Sequence, residues 1–469
     1  MGIPSLTAKA SILSDDLMSF SRVKPEAKAE IDVVVKDVLG RASCYRSTEE
    51  RPLLLKKHKK TCFSLVGRLT TLRIHTVITS ILKLPVEILT YIANFLPVED
   101  VYALAATSKF LLEAADREKL IRIGEGQPVK KLGLTETSLL SLLRKKGGFR
   151  IQRLNLDDST IIDVATLLNL CLNIHTLSAV NCSFNICVLN QLITYKNISE
   201  LNLGSNELGE KETNVISAMS NLASLSLVAN DIRDEGAKVI SKMTNLRSLN
   251  LAFNKIGSNG AIAISAMLNL TMLDLSMNKI CIQGTIAISQ MHGLTRLILT
   301  DNEVEIDGAL EISTMSNLTT LNLAENSIRD VGAAAISTMS FLTTLDLSWN
   351  YIVNKGAIAI SQLLGLTTLV LEGNKIGVEA IQAISLMPRV KMLDLGWSEI
   401  NDEGAEIIAE MVNLTNLVLQ HNAISSRGAI AISAMPNLRD LCLSQNEIDS
   451  EVIKQIRQEL KARDVRFIF

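Results

Sequence analysis

Residues 317–340 read NLTTLNLAENSIRDVGAAAISTMS, and near-copies of this stretch fill most of the chain beyond residue 150. Its paired leucines, Leu321 and Leu323, are preceded by Leu201/Leu203, Leu225/Leu227, Leu249/Leu251, Leu273/Leu275 and Leu297/Leu299. They are followed by Leu345/Leu347, Leu369/Leu371, Leu393/Leu395, Leu417/Leu419 and Leu441/Leu443, always 24 residues on. Looser copies stand at Leu154/Leu156 and Leu177/Ala179, with a third at Leu132/Leu134, so thirteen to fourteen units are expected. Repetition at this period marks stacked supersecondary units, none of which can bury its apolar face alone.

Each unit carries its own local instructions. Leu-x-Leu alternates with period two, which predicts a short strand with its leucines inward. Three residues on stands an asparagine: Asn206, Asn230, Asn254, Asn278, Asn302, Asn326, Asn350, Asn374, Asn422 and Asn446. A carboxamide at a bend offers two donors and an acceptor, so it can satisfy backbone groups of its own coil and the next. A Gly-Ala pair follows, as at Gly260, Gly332, Gly356 and Gly428, and opens a short helix that small residues let pack closely. Strands on one side and helices on the other differ in width, so the stack should curve, strands concave and helices convex. Ser398 replaces the asparagine and Ala380 the glycine in adjoining units, which predicts one weaker rung near residues 380–400.

The pattern resembles the leucine-rich repeat, implying an α/β solenoid: a horseshoe of 24-residue β-α repeats. We assign the array to 126–445 and a C-terminal cap to 446–469, where an amphipathic EVIKQIRQELKAR precedes VRFIF.

Bulk properties narrow the function. The chain is 47% apolar but only 4% aromatic, as expected of thin aliphatic layers. Residues 1–80 hold 14 Lys+Arg against 8 Asp+Glu, a balance of +6. Residues 151–469 hold 22 against 33, a balance of −11 that repels phosphate backbones and excludes nucleic acid as a partner of the array. Seven cysteines without a CxxC pair and five scattered histidines give no metal-ligand spacing, so neither metal nor cofactor is expected. The most apolar window, 74–96, is broken by Lys83, Pro85 and Glu87, so no membrane span is expected. MGIPSLTAKASILSDD lacks the form of a secretory leader, which points to the cytoplasm.

Residues 1–80 show helical periodicity around Ile31–Leu39 and a KKHKK run at 56–60, but no assignable role. Residues 84–122 read LPVEILTYIANFLPVEDVYALAATSKFLLEAADREKLIR. Ile88, Leu89, Ile92 and Leu96 keep helical spacing, Pro97 and Asp100 open a second helix, and Leu104 continues it. The segment resembles an F-box on Leu84, Pro85, Glu87, Ile88, Leu89, Ile92, Leu96, Asp100, Ser108 and Lys109. The tryptophan that many members of that family carry just after the Ser-Lys stretch is absent, Phe110 being followed by Leu111 and Leu112. The likeness implies an all-helical N-terminal region whose 81–125 segment docks onto a Skp-type adaptor and, through it, a cullin.

GAIAISAM, GAAAISTM and GAIAISQL are also similar to the Gly-Ala signature of GALA proteins, bacterial effectors that combine an F-box with leucine-rich repeats. Those resemblances imply a non-catalytic substrate receptor of a ubiquitin ligase, placed in the host cytosol if secreted. A repeat scaffold independent of ubiquitin, such as a GTPase or kinase regulator, is the alternative. An enzyme is not expected. Only 26 residues follow Leu443, and Cys44 and Cys62 have no visible partners for catalysis.

An unknown target protein would sit on the concave face. Candidate contacts are Phe253, Met277, Trp349 and Trp397 just before the asparagine position, and Asp274, Asp346 and Asp394 between the paired leucines. Asp301, Glu325 and Glu372 lie nearby. Both tryptophans take the same place in units 48 residues apart with Gly373 between them. A strand spacing of about 4.8 Å puts the indoles roughly 10 Å apart, an open gap with aromatic walls and an acidic floor.

Overall fold

The computed structural model describes residues 119–120, 122–123, 125–146, 151–159 and 164–469. The positions expected to dock an adaptor, Leu84, Pro85, Ile88, Leu89, Ile92, Leu96, Asp100, Leu104, Ser108 and Lys109, and the whole of 1–80, lie outside the described residues.

Within the described residues one parallel sheet of fourteen strands runs in strict sequence order. The first strands are β1 (Arg153–Asn155), β2 (Thr176–Ser178), β3 (Glu200–Asn202), β4 (Ser224–Ser226) and β5 (Ser248–Asn250). Then come β6 (Met272–Asp274), β7 (Arg296–Ile298), β8 (Thr320–Asn322), β9 (Thr344–Asp346) and β10 (Thr368–Val370). The last are β11 (Met392–Asp394), β12 (Asn416–Val418), β13 (Asp440–Cys442) and β14 (Arg466–Ile468). Register follows the leucines: Leu321 pairs with Leu297 on one side and Leu345 on the other. Helices of seven to nine residues, from Val164–Leu170 to Ser426–Ser433, return the chain between successive strands up to β13. The array is therefore a β-α solenoid of parallel strands in its local pattern.

Two details differ from the expectation at the ends. Leu132 and Leu134 form no strand: Val129–Leu132 is a 3-10 turn closed by Gly133 at φ +63°. At the other end VRFIF is more than a cover, because β14 pairs with β13 and continues the sheet. Arg463 fixes the preceding helix, Ser450–Ala462, by donating to the carbonyls of Ser433 (2.7 Å) and Met435.

Each coil seals a thin aliphatic layer. In 317–340, Leu318, Leu321, Leu323, Ile328, Ala333, Ile336 and Met339 are all buried. Every large one contributes about 1.5–3 kcal/mol of burial, but only against its neighbour's layer. The glycine that opens each helix serves packing rather than backbone freedom. A Cβ on Gly332 would lie 2.7 Å from Ile328 Cβ and 3.0 Å from Ala309 Cβ.

The asparagine ladder is present, and it serves the preceding coil rather than the next. Asn326 Oδ1 accepts the amides of Asn302 (3.0 Å) and Val304 (3.1 Å). Its Nδ2 donates to Leu299 O in that same coil (2.7 Å) and to Ala324 O in its own (2.8 Å). Cys182 holds this position in the β2 coil and donates to Leu156 O (3.0 Å). Ser398, being shorter, donates only to Gly396 O in its own coil (3.1 Å). The Asn374 and Ile376 amides therefore lack the carboxamide oxygen their counterparts receive, so the weaker rung falls where the sequence put it.

Two further ladders went unread in the sequence. Asn245, Asn269, Asn317, Asn413 and Asn437 each donate a side-chain amide to a carbonyl of the preceding coil, at 2.7–3.0 Å. Thr271, Thr295, Thr319, Thr343 and Thr367 hydroxyls do the same at 3.0–3.1 Å. The Asn-Leu or Leu-Thr that recurs before the strands, complete as NLT at 269–271, 317–319 and 413–415, was their signal.

Carboxylates also cap across coils. Asp330 Oδ1 accepts the Val353 and Gly356 amides at the next helix start, and Asp402 Oδ1 accepts those of Ser425 and Gly428. Burial pushes the Asp402 carboxyl up, but the Ser425 hydroxyl, the two amides and Arg427 together outweigh it and hold it below the usual range.

Candidate protein-binding surface

The residue just before each ladder position adopts a left-handed backbone, which aims its side chain out of the bend. Phe253 (φ +59°), Met277 (+53°), Asp301 (+52°), Glu325 (+57°), Trp349 (+54°), Trp397 (+52°) and His421 (+52°) form one row, one per coil, with Gly373 (+69°) in its place. A left-handed non-glycine costs about 1–2 kcal/mol, offset here by amide bonds such as Trp349 N–H to Glu372 O at 2.7 Å. Phe253, Met277, Trp349 and Trp397 are exposed.

The row divides in two. Phe253 and Met277 lie four and three coils before Trp349, about 14–19 Å away at the usual strand spacing, with acidic Asp301 and Glu325 between. Trp349, Trp397 and His421 instead come together. The two indole centroids are 6.0 Å apart at an interplanar angle of 51°, and His421 stacks on Trp397 at 3.7 Å and 18°.

The open gap expected between the tryptophans is thus absent. Gly373 presents no side chain, so the Trp349 ring lies across it, where any Cβ would overlap the indole. Covering the glycine buries apolar ring surface that an open gap would leave wet. The result is a solid aromatic ridge.

A second glycine performs the same service one row away. Gln420 reaches over Gly396, whose added Cβ would stand 3.0 Å from Gln420 Cγ, and donates to Glu372 Oε1 at 3.0 Å. Gly396, Gln420 and His421 do not stand out as site residues in the sequence, and Gly373 reads there as a gap rather than as the seat of a ring. The signal was available: two glycines at positions where the other coils mostly carry side chains.

The acids differ in how fully they are satisfied. Asp346 Oδ1 takes the amide and hydroxyl of Ser348 (3.0 and 2.6 Å), and its Oδ2 takes Asn322 Nδ2 (2.8 Å). Asp274 is held identically by Ser276 and Asn250. These two are tied into the wall. Asp394 has Val370 in place of the asparagine and Gly396 in place of the serine, so it accepts only the Gly396 amide, at 3.0 Å. Burial pushes its carboxyl up to about 6, the Gly396 amide opposes this, and the charges of Glu372 and Asp346 push it further up. Residues 344–349, 368–373, 392–397 and 416–421 contain Asp346, Glu372 and Asp394 but no Lys or Arg.

Burial pushes the Cys171 thiol up to about 12, and burial, aided by Asp157 and Asp158, raises that of Cys182. Neither is a ready nucleophile. Among the described residues no three His, Cys, Asp or Glu side chains gather as a metal site, and no helix is long and apolar enough to cross a membrane.

With the ladder, the inward leucines and the parallel register in view, the family models agree. Residues 244–304 and 316–376 match one leucine rich repeat model, and 218–241, 390–409 and 411–433 match a second. The array is a leucine-rich-repeat solenoid. Its fold is shared with an internalin from Listeria monocytogenes, at 21% identity over 71% of this chain and 93% of that one, with a TM-score of 0.50. A leucine-rich-repeat protein of Leptospira interrogans matches at 19% identity over 70% and 98%, with a TM-score of 0.42. A plant peptide hormone receptor, RGFR1, solved in complex with RGF2, matches at 16% over 63% and 51%, with a TM-score of 0.40. No curated protein matches the sequence. The internalin likeness bears on the fold alone. Leucine-rich-repeat arrays are built as extended surfaces for protein partners, and nothing among the described residues points to an enzyme.

Proposed function

We propose that this chain is a non-catalytic receptor that holds a target protein on the concave face of its leucine-rich repeats. The observation that carries the reading is the ridge of exposed Trp349 and Trp397 with half-buried His421, on the coils that carry Glu372 and Asp394. Rigid aromatics backed by polar groups supply a disproportionate share of interface energy, often above ~2 kcal/mol each.

The F-box-like segment 81–125 extends the reading: it hands the chain to a Skp-type adaptor, and through it to a cullin ubiquitin ligase. Catalysis is then by proximity, since a held target lysine meets the ubiquitin-loaded enzyme at high effective concentration. The GALA-like repeats favour a bacterial effector acting in host cytosol.

Two variants separate the halves of the proposal. Replacing Leu84 and Pro85 together by alanine should abolish co-purification with the adaptor and leave target capture intact. Trp349→Ala with Trp397→Ala should do the reverse. Wild-type protein that fails to bind any Skp-type adaptor would leave the array as a scaffold independent of ubiquitin, as in a GTPase or kinase regulator.

A further inference from the structure

We infer that the ridge and its acidic floor take the guanidinium of an arginine presented on an extended segment of the partner protein. This rests on the concave-face reading above and names the chemistry that face selects.

Three features converge on a planar cation. His421 stacks on Trp397 at 3.7 Å and Trp349 tilts against Trp397 at 6.0 Å, yet both indoles stay exposed, so aromatic surface stands open to solvent on the coils that carry the carboxylates. Cations prefer such faces, and a guanidinium more than an ammonium because it is flat and weakly hydrated. Glu372 receives Gln420 on Oε1 alone, which holds the carboxylate while leaving Oε2 without a protein donor.

Asp394 is the third feature. Its counterparts Asp274 and Asp346 each accept three hydrogen bonds, whereas Asp394 accepts one. A half-buried carboxylate short of donors, beside two others and with no lysine or arginine on those four strands and bends, is a place a fork of N–H groups would satisfy. A neutral partner would leave that deficit in place. An acidic one would add to it.

The chain's only two tryptophans are both in the ridge, so tryptophan fluorescence, excited selectively over the five tyrosines, reports this surface. The probe is N-acetylated, amidated hexa-arginine titrated into the full chain, with hexalysine and hexacitrulline as matched controls. Saturable change is expected with arginine, a weaker response with lysine, and none with citrulline, which keeps the shape and loses the charge. Glu372→Gln and Asp394→Asn should each weaken the arginine response about tenfold, the loss of one charge-assisted contact. Glu235→Gln, on a helix six coils away, should leave it unchanged. No saturable change, equal responses to lysine or citrulline, or equal weakening by Glu235→Gln would each overturn the assignment. Should the arginine assignment fail while Trp349→Ala/Trp397→Ala still abolishes target capture, only the arginine falls. Should those variants leave capture untouched, the concave-face reading falls with it.

Discussion

Coils 301–350 and coils 373–422 are built on one plan and depart from it to different degrees. In the first, Asn302, Asn326 and Asn350 form unbroken rungs and each helix opens on Gly-Ala. In the second, Ala380 replaces the helix-opening glycine, Ser398 breaks the ladder, and Gly373 and Gly396 empty two concave positions. The emptied positions are the ones that Trp349 and Gln420 cross. The contrast teaches a division of labour: the regular coils supply the Trp349 ring, and the irregular coils beside them supply the emptied positions over which that ring and Gln420 lie.

That contrast can be broken at its strong end first. Asn326→Ala leaves the buried Asn302 and Val304 amides without their acceptor, and a loss on the order of 3 kcal/mol is expected in denaturant unfolding. Repeat arrays unfold coil by coil, so the loss should concentrate in the hydrogen exchange of 302–326. Ser398→Ala, at the weak end, should cost well under ~1 kcal/mol. Equal losses at 326 and 398 would remove the distinction between the two regions.

Gly373→Ala is intermediate, at about 1–2 kcal/mol, because the methyl meets the Trp349 ring and φ is +69°. It should also change tryptophan fluorescence, since the ridge cannot close over a side chain. An unaltered spectrum would mean the indoles do not lie as described.

A smaller effect sharpens the acidic side. The Asp394 carboxyl is pushed up from 3.8 to about 6, first by burial and also by Glu372 and Asp346. The folded chain therefore keeps a proton between those values that the unfolded chain releases, and stability falls as pH rises through that window. Asp394→Asn should be more stable than the parent above pH ~6, by on the order of 1 kcal/mol after solvent screening, and equal to it below pH ~4. Parallel stability profiles for the two proteins would contradict the burial of Asp394.

Strand, ladder and helix were legible because they repeat: Leu321 and Leu323 mean one thing eleven times over, and context never has to arbitrate. The ridge was half legible. Its tryptophans stood out as the only two in the chain, but spacing along a sheet gives Cα separations and says nothing of rotamers. The collapse of Trp349 across Gly373 depends on what a missing side chain allows, and pattern reading counts residues present. His421 was hidden for a similar reason, since its stacking on Trp397 exists only between coils. The NLT ladders were overlooked because outer Asn and Thr read as ordinary turn residues. Leu132/Leu134 mimicked the pair without the flanking positions that make a strand.

The binding reading of the repeats turns on the aromatic ridge being closed, and exciton coupling in far-ultraviolet circular dichroism tests that directly. Two indoles with centroids 6.0 Å apart at 51° should give a bisignate band, and Trp349→Phe or Trp397→Phe alone should abolish it. A parent spectrum equal to the sum of the two single variants less the double variant would place the rings apart and contradict the account.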